Sequence, residues 1–199
     1  MLKRALFHIA KAPFMGKVIG IAFRYFSPAI PMKKVYNSKD IVAFCHPKPS
    51  YKNHIVLVPK RAVANLQQLA SDKLQEYFVK IWEATRYIQN AYPEYRDSFV
   101  LVVNGGKRQK VSQVHFHMFT NHDVVNEKWE IHRVIPAVSS RQITTEYFKD
   151  IMQQISLMNE EFDIVQKGYS LVYQFEKQKG DIDVPVFHVI AGRKETIYE

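Results

Sequence analysis

Cysteine is almost missing from this 199-residue chain: Cys45 stands alone, so no internal disulfide can staple the fold and an apolar core has to hold it. Long hydrophobic runs are missing as well. Lys11, Lys17 and Arg24 interrupt the N-terminal apolar stretches well short of the ~20 residues that a membrane-spanning helix needs, and no small-residue cleavage site follows a clean hydrophobic core. A transmembrane span is thereby excluded for that segment. No linker or low-complexity stretch interrupts the chain. Acidic residues are absent from residues 1–39, which hold eight Lys and Arg, so the net charge of +9 is local: residues 40–199 carry 20 basic against 19 acidic side chains. A near-neutral body gives no reason to expect nucleic acid as a partner.

What is present is a 47% apolar composition, enough for one ordinary domain or two small ones. Residues 1–32 form a basic segment in which Met15, Val18, Ile19, Ala22, Phe23 and Phe26 share one helical stripe, with Lys17 and Arg24 off it. Three readings stay open for this helix: packing on the body of the protein, attachment of residues 1–30 to an anionic membrane surface, or a mitochondrial-type transit peptide. The single thiol fits a reducing compartment, so the expected location is cytoplasmic, peripheral on a membrane if the second reading holds.

From residue 33 the pattern alternates between strand and helix. A hairpin is expected over 33–47, turning at Asn37-Ser38-Lys39-Asp40, and a strand over HIVLVP (54–59). A long helix follows over 65–91, closed by Pro93. SFVLVVNGG (98–106) and QKVSQVHFHMF (109–119) read as a second hairpin, with Gln109, Val111, Gln113, His115 and His117 on one face and Val114, Phe116 and Met118 on the other. Residues 123–199 add a strand (129–137), a helix (144–162) and a final hairpin (GYSLVYQFE with VPVFHVIAG). The fold class is α+β, an antiparallel sheet with a long helix packed on it. Strand, helix and hairpin occur twice in the same order, with His188 near the relative position of His117, which reads as a diverged internal duplication. The alternative is that a common element order recurs by chance. Val184 and Val186 stand in the second copy where Gln113 and His115 stand in the first, so only residues 33–122 can be catalytic.

Two imidazoles and a carboxamide on one strand face are a chemical signal, and the stretch resembles the histidine-triad (HIT) nucleotide hydrolases and transferases. Their motif is His-φ-His-φ-His-φ-φ, φ being apolar, after a Gln-x-Val. Here Gln109-Lys110-Val111 stands for Gln-x-Val, and Gln113-Val114-His115-Phe116-His117-Met118-Phe119 for the triad, its first His replaced by Gln. HIVLVPKRAVANLQQL (54–69) is similar to the family's His-x-x-Val-x-Pro-Lys strand leading into its helix, and FCHPKPSYKNH (44–54) to the nucleotide-contacting loop before it. The resemblance spans roughly residues 35–120.

It implies attack of an imidazole on phosphorus, a covalent nucleotidyl-histidine, and resolution by water or another acceptor. His115 takes the nucleophile's position, His117 the phosphate contact that assists the leaving group, and His54 a place beside the phosphate or behind it. Asn104, Gln109 and Gln113 are expected at phosphate oxygens, with Phe44 and His46 at the nucleoside; Asn104 reads equally well as a turn residue, and Phe44 as core. Counting without a gap from Asn104 would instead make His117 the nucleophile. Many family members carry an acid two positions after the strand phenylalanine, gripping both ribose hydroxyls. Here Cys45 and His46 follow Phe44, which leaves room for phosphate esters or anhydrides other than a purine nucleoside monophosphate.

His54, His115, His117 and Cys45 or His46 could in principle ligate zinc, but only His115-x-His117 is spaced for it, so no metal and no cofactor are expected. The expected partner is a small nucleotide-like molecule cleaved at a phosphoanhydride or phosphoramidate bond. The competing reading is a binding module that kept the phosphate pocket and lost turnover with the first histidine. A fused second half replacing the partner chain of a dimeric relative would make the protein a monomer.

Overall fold

The computed structural model describes residues 32–136, 142–177 and 184–192. The basic amphipathic helix, and the membrane attachment assigned to residues 1–30, lie outside the described residues. Among these, no helix is long and apolar enough to cross a membrane.

Strands β1 (Lys34–Asn37) and β2 (Ile41–Cys45) form the expected first hairpin. Ser38 closes its turn: the hydroxyl oxygen accepts from the N–H of Asp40 and of Ile41, at 3.3 and 3.0 Å. β3 (Lys52–Pro59) pairs with β2 and leads to a short helix, α1 (Leu66–Leu69), capped by the Asn65 side chain. The helix expected over 65–91 is therefore in two pieces. Backbone bonds back to Ser71 turn the chain at Leu74 and Gln75, after which α2 (Glu76–Ala91) runs unbroken. β4 (Ser98–Gly105) and β5 (Phe116–Thr120) pair antiparallel. In the second half β6 (Ile131–Val134), α3 (Thr145–Phe162), the short α4 (Ile164–Lys167), β7 (Tyr169–Glu176) and β8 (Phe187–Ala191) follow the expected order.

Among the described residues all eight strands join one sheet in the order β1-β2-β3-β5-β4-β7-β8-β6, every neighbouring pair antiparallel. The fold is thus α+β in class, and the two halves of the chain join at the eight-residue β4–β7 ladder from Ser98↔Glu176 to Gly105↔Tyr169. α2 and α3 cover one face, where Phe78 stacks on Phe148 at 4.1 Å between ring centroids and joins Leu101, Phe116, Leu171 and Phe187 in the main core. The opposite face carries the histidines.

One row of residues across that opposite face reads the same from both ends: Val56, His117 and Val102 on β3, β5 and β4, then Val172, His188 and Val134 on β7, β8 and β6. The registers equate His117 with His188, and hence His54 with His132, each two residues before the valine on its strand. In the same registers Val186 takes the position of His115.

Candidate active site

Four imidazoles gather on the open face, each delivered by a different local cause. His54 follows a β-bulge. Asn53 adopts a left-handed backbone conformation (φ 54°), the β3–β5 register shifts between Lys52 and Ile55, and the extra residue re-aims the strand. Asn53 is held on both sides, its Nδ2 donating to Thr120 Oγ1 at 3.0 Å and its carbonyl accepting from the Tyr95 hydroxyl. His117 comes from β5 in ordinary register between Val56 and Val102. His46 begins the loop after β2; its Nδ1 accepts from Lys48 N at 3.2 Å and its ring stacks on His54, with centroids 4.3 Å apart and planes 3° from parallel. His115 sits just ahead of β5, half-buried, edge-on to His117 at 4.9 Å.

Two hydrogen bonds set the chemistry. His115 Nδ1 lies 2.7 Å from the carbonyl oxygen of Gln113. A carbonyl only accepts, so Nδ1 carries the proton and Nε2 is the basic nitrogen. His54 Nε2 and His117 Nδ1 are 2.9 Å apart, one donating and the other accepting. Both of these rings are buried, at 4% exposure each.

The electrostatics favour neutral rings. Burial is the largest cause at every member, and neighbouring imidazoles add to it at His46, His54 and His117. His54 is pushed down from 6.5 to about 3 by desolvation, with His46 and His115 contributing. His117 lies well below its ordinary value from burial and from His115, His54 and His46. His115 is lowered by burial against the opposing effect of the Gln113 carbonyl, and His46 by burial and His115 against that of its Lys48 bond. Neutral imidazole is the form that can attack phosphorus.

The remaining residues singled out in the sequence divide. Asn104 is not in a turn: it lies within β4, 7% exposed, on the same face as Val102. One residue beyond the Val103↔Phe116 pair, the register brings it opposite His115. Phe44 is on the histidine face with Val42, Val56 and Val58 in a small apolar cluster, next to the imidazoles rather than in the helix-covered core. Gln113 and Gln109 do not line the site in the way their alternation implies. β5 begins only at Phe116, and the stretch 109–115 is a loop fastened to the chain after β3. Gln113, 1% exposed, donates to the carbonyls of Arg61 (3.1 Å) and Pro59 (3.4 Å) and accepts from Val63 N (3.2 Å), which commits its carboxamide to the backbone after β3. Gln109 Nε2 donates to the carbonyls of Ala64 and Val111. A buried amide that satisfies backbone groups is a stronger local demand than strand alternation. Among the described residues no three or more His, Cys, Asp or Glu side chains, these imidazoles included, are arranged to hold a metal ion.

Three residues at the β4–β7 seam carried no signal of their own. Ser170 and Arg108 reach Asn104 through a chain of hydrogen bonds, Arg108 Nη1 to Ser170 Oγ (3.3 Å) and Ser170 Oγ to Asn104 Oδ1 (2.6 Å). Tyr169 packs over Gly105 and accepts from Gln67 Nε2 at 2.9 Å. All three depend on the β4–β7 register, which one-dimensional periodicity does not contain. His132 did have a signal, the His-x-Val shared by His54-Ile55-Val56 and His132-Arg133-Val134.

With this geometry in place, comparison with known proteins is informative. The family model described as HIT domain matches residues 27–124. Protein pkiA of Dictyostelium discoideum is 32% identical over 95 residues, covering 46% of this chain and 75% of that protein. An uncharacterized HIT-like protein of Methanocaldococcus jannaschii is 26% identical over 96 residues, 47% of this chain and 72% of that one. Among solved structures, a histidine triad protein from Clostridium difficile superposes with a TM-score of 0.50 at 23% identity, covering 57% of this chain and 97% of that one. Yeast Ap4A phosphorylase Apa2 in complex with AMP superposes with a TM-score of 0.54 at 12% identity, covering 92% of this chain and 69% of that one. At these identities the two superpositions speak to fold alone.

Proposed function

The chain belongs to the histidine-triad family, and from that premise we propose that it is a hydrolase or transferase that breaks a phosphoanhydride or phosphoramidate bond of a nucleotide-like substrate through a covalent intermediate on His115. The observation that carries this reading is the 2.7 Å bond from His115 Nδ1 to the Gln113 carbonyl, which leaves Nε2 as the nucleophilic nitrogen. The lone pair of Nε2 attacks phosphorus, the bond from phosphorus to the leaving group breaks, and the leaving group departs with its electron pair and takes up a proton. When His54 Nε2–H donates to His117 Nδ1, the other nitrogen of His117 carries a proton and can hydrogen-bond the departing group, whose own proton comes from solvent. Water or another acceptor then attacks the phospho-histidine and restores the imidazole.

Gln113 stands where the family has its first histidine, and it is a backbone atom of that residue that orients His115. The replacement leaves that atom in place, which favours an active enzyme over a binding module that has lost turnover. The substrate reading follows from the loop after β2. His46 stacks on His54 and extends the imidazole array, in the place where a diol-gripping carboxylate would stand, so the site favours phosphate chemistry over tight ribose recognition. Phe44 and its valine neighbours offer an apolar platform beside it. The palindromic sheet row and the second His pair support an internal pseudo-dimer whose second half has lost the nucleophile, and hence a monomer in solution.

The test is turnover. A panel of dinucleoside polyphosphates, nucleoside phosphoramidates and nucleotide-linked sugars and lipids should include compounds that wild type cleaves and His115→Ala does not. Binding of AMP without cleavage of any member would favour the binding module.

A further inference from the structure

Resting on the reading of His115 as the group that attacks phosphorus, the geometry points to a further participant from the other half of the chain: we propose that Ser170 is a positioning residue that orients the Asn104 carboxamide toward the substrate's phosphate. Ser170 is wholly buried, at 0% exposure, near the start of β7. The Arg108 guanidinium has only donors, so the serine oxygen accepts from Nη1. The hydroxyl's single proton then goes to Asn104 Oδ1 at 2.6 Å. With its oxygen engaged in that way, Asn104 presents the two protons of Nδ2 on its other side.

The register says where that side lies. Ser170 is opposite Asn104 across β7 and β4, and one step past the Val103↔Phe116 pair Asn104 is opposite His115. Hydroxyl and carboxamide therefore sit side by side on β7 and β4, and the row continues to the attacking imidazole on the residue just ahead of β5, on the histidine face. An amide turned over would aim its oxygen at phosphate oxygens and repel them. The hydroxyl fixes the donating orientation, which is the one that stabilises charge as it develops on the phosphorus centre.

Arg108 is itself held in place. Its guanidinium lies 5.1 Å above the Trp129 ring, and Gly168, with φ +81°, passes so close that a Cβ there would sit 2.7 Å from Arg108 Cγ. The C-terminal half thus gives the site a working part as well as a neighbouring sheet.

The experiment uses the full chain as wild type, Ser170→Ala, Ser170→Cys, Ser170→Thr, Asn104→Ala and the Ser170→Ala/Asn104→Ala double variant. Two readouts are taken: AMP affinity by calorimetry, and the rate of adduct formation from a radiolabelled dinucleoside polyphosphate that wild type cleaves. Ser170→Ala should weaken AMP binding and slow adduct formation by about tenfold each, the scale of one lost buried hydrogen bond. Ser170→Cys, nearly isosteric but a weak donor, should move both in the same direction, and Ser170→Thr, which keeps the hydroxyl, should restore them. The double variant should be no worse than Asn104→Ala alone, because both changes remove one device. Near-native AMP affinity and adduct rate in Ser170→Ala and Ser170→Cys would overturn the relay, as would additive losses in the double variant. If Ser170→Ala does not fold, the Cys and Thr variants decide between these outcomes. A wild type that neither binds AMP nor forms an adduct would overturn the proposed function itself and Ser170's role with it, whereas an active wild type matched by its Ser170 variants would overturn only the relay.

Discussion

His132 Nε2 and His188 Nδ1 are joined by a 3.0 Å hydrogen bond on β6 and β8, the same atoms in the same register as the 2.9 Å bond between His54 and His117 on β3 and β5. The environments differ: His54 and His117 are buried, whereas His132 is exposed and His188 half-buried. The second pair also lacks a nucleophile beside it, since Val186 occupies the register of His115. His188→Asn is therefore expected to leave turnover at the wild-type level. Loss of activity in this variant would mean that the second half has a catalytic role which its valine denies.

Stability should fall with acid over a definite window. An imidazole whose value is depressed on folding binds fewer protons in the native state than in the unfolded chain, so ΔG of unfolding rises with pH between the folded and unfolded values. His54 falls from 6.5 to about 3 and His188 to about 4, and His46, His115 and His117 are lowered as well. Lowering the pH from about 6.5 toward about 4 should thus lower the urea midpoint progressively. His54→Gln should flatten that slope. A midpoint independent of pH across this range would contradict the depressed values.

The join between the halves is tight at Gly105, where a Cβ would fall 2.2 Å from the Tyr169 ring. Gly105→Ala has to displace that ring, or the strand that carries it, and is expected to cost about 1–3 kcal/mol, as overpacking of a filled core does. Urea unfolding of the variant measures this, and a native midpoint would show that the ring is freely displaced.

Removing residues 125–199 would leave the whole β4 edge unpaired and uncover the helix-facing core. The full chain should scatter light as a monomer and the truncated one should dimerise or aggregate. A stable dimer of the full chain would count against the pseudo-dimer.

The sequence was most legible where the chain alternates regularly. The first hairpin, the strand at His54, the 98–105 strand, the helix after Thr144 and the closing hairpin all stand where periodicity puts them. It misled at 109–115, because alternation there serves a loop whose glutamines bond the backbone of 59–64 rather than a strand face. The helix over 65–91 is broken because apolar spacing continues through the Ser71 turn, whose backbone bonds the pattern does not reveal. His115, His117 and His54 were readable from their motifs. The bonds of Ser170 and Arg108 were not, since they join side chains far apart in sequence, 66 residues for Ser170–Asn104 and 62 for Arg108–Ser170.

The central claim is a covalent bond to one nitrogen of one residue. Acid-labile, base-stable labelling by a radiolabelled nucleotide substrate, trapped by rapid denaturation and mapped by peptide mass spectrometry, tests it most directly. The account predicts an adduct on His115 in wild type, none in His115→Ala, and a correctly folded variant by circular dichroism, since a half-buried histidine at the mouth of β5 contributes little to the core. Label on His117, or an adduct that survives in His115→Ala and disappears in His117→Ala, would contradict it.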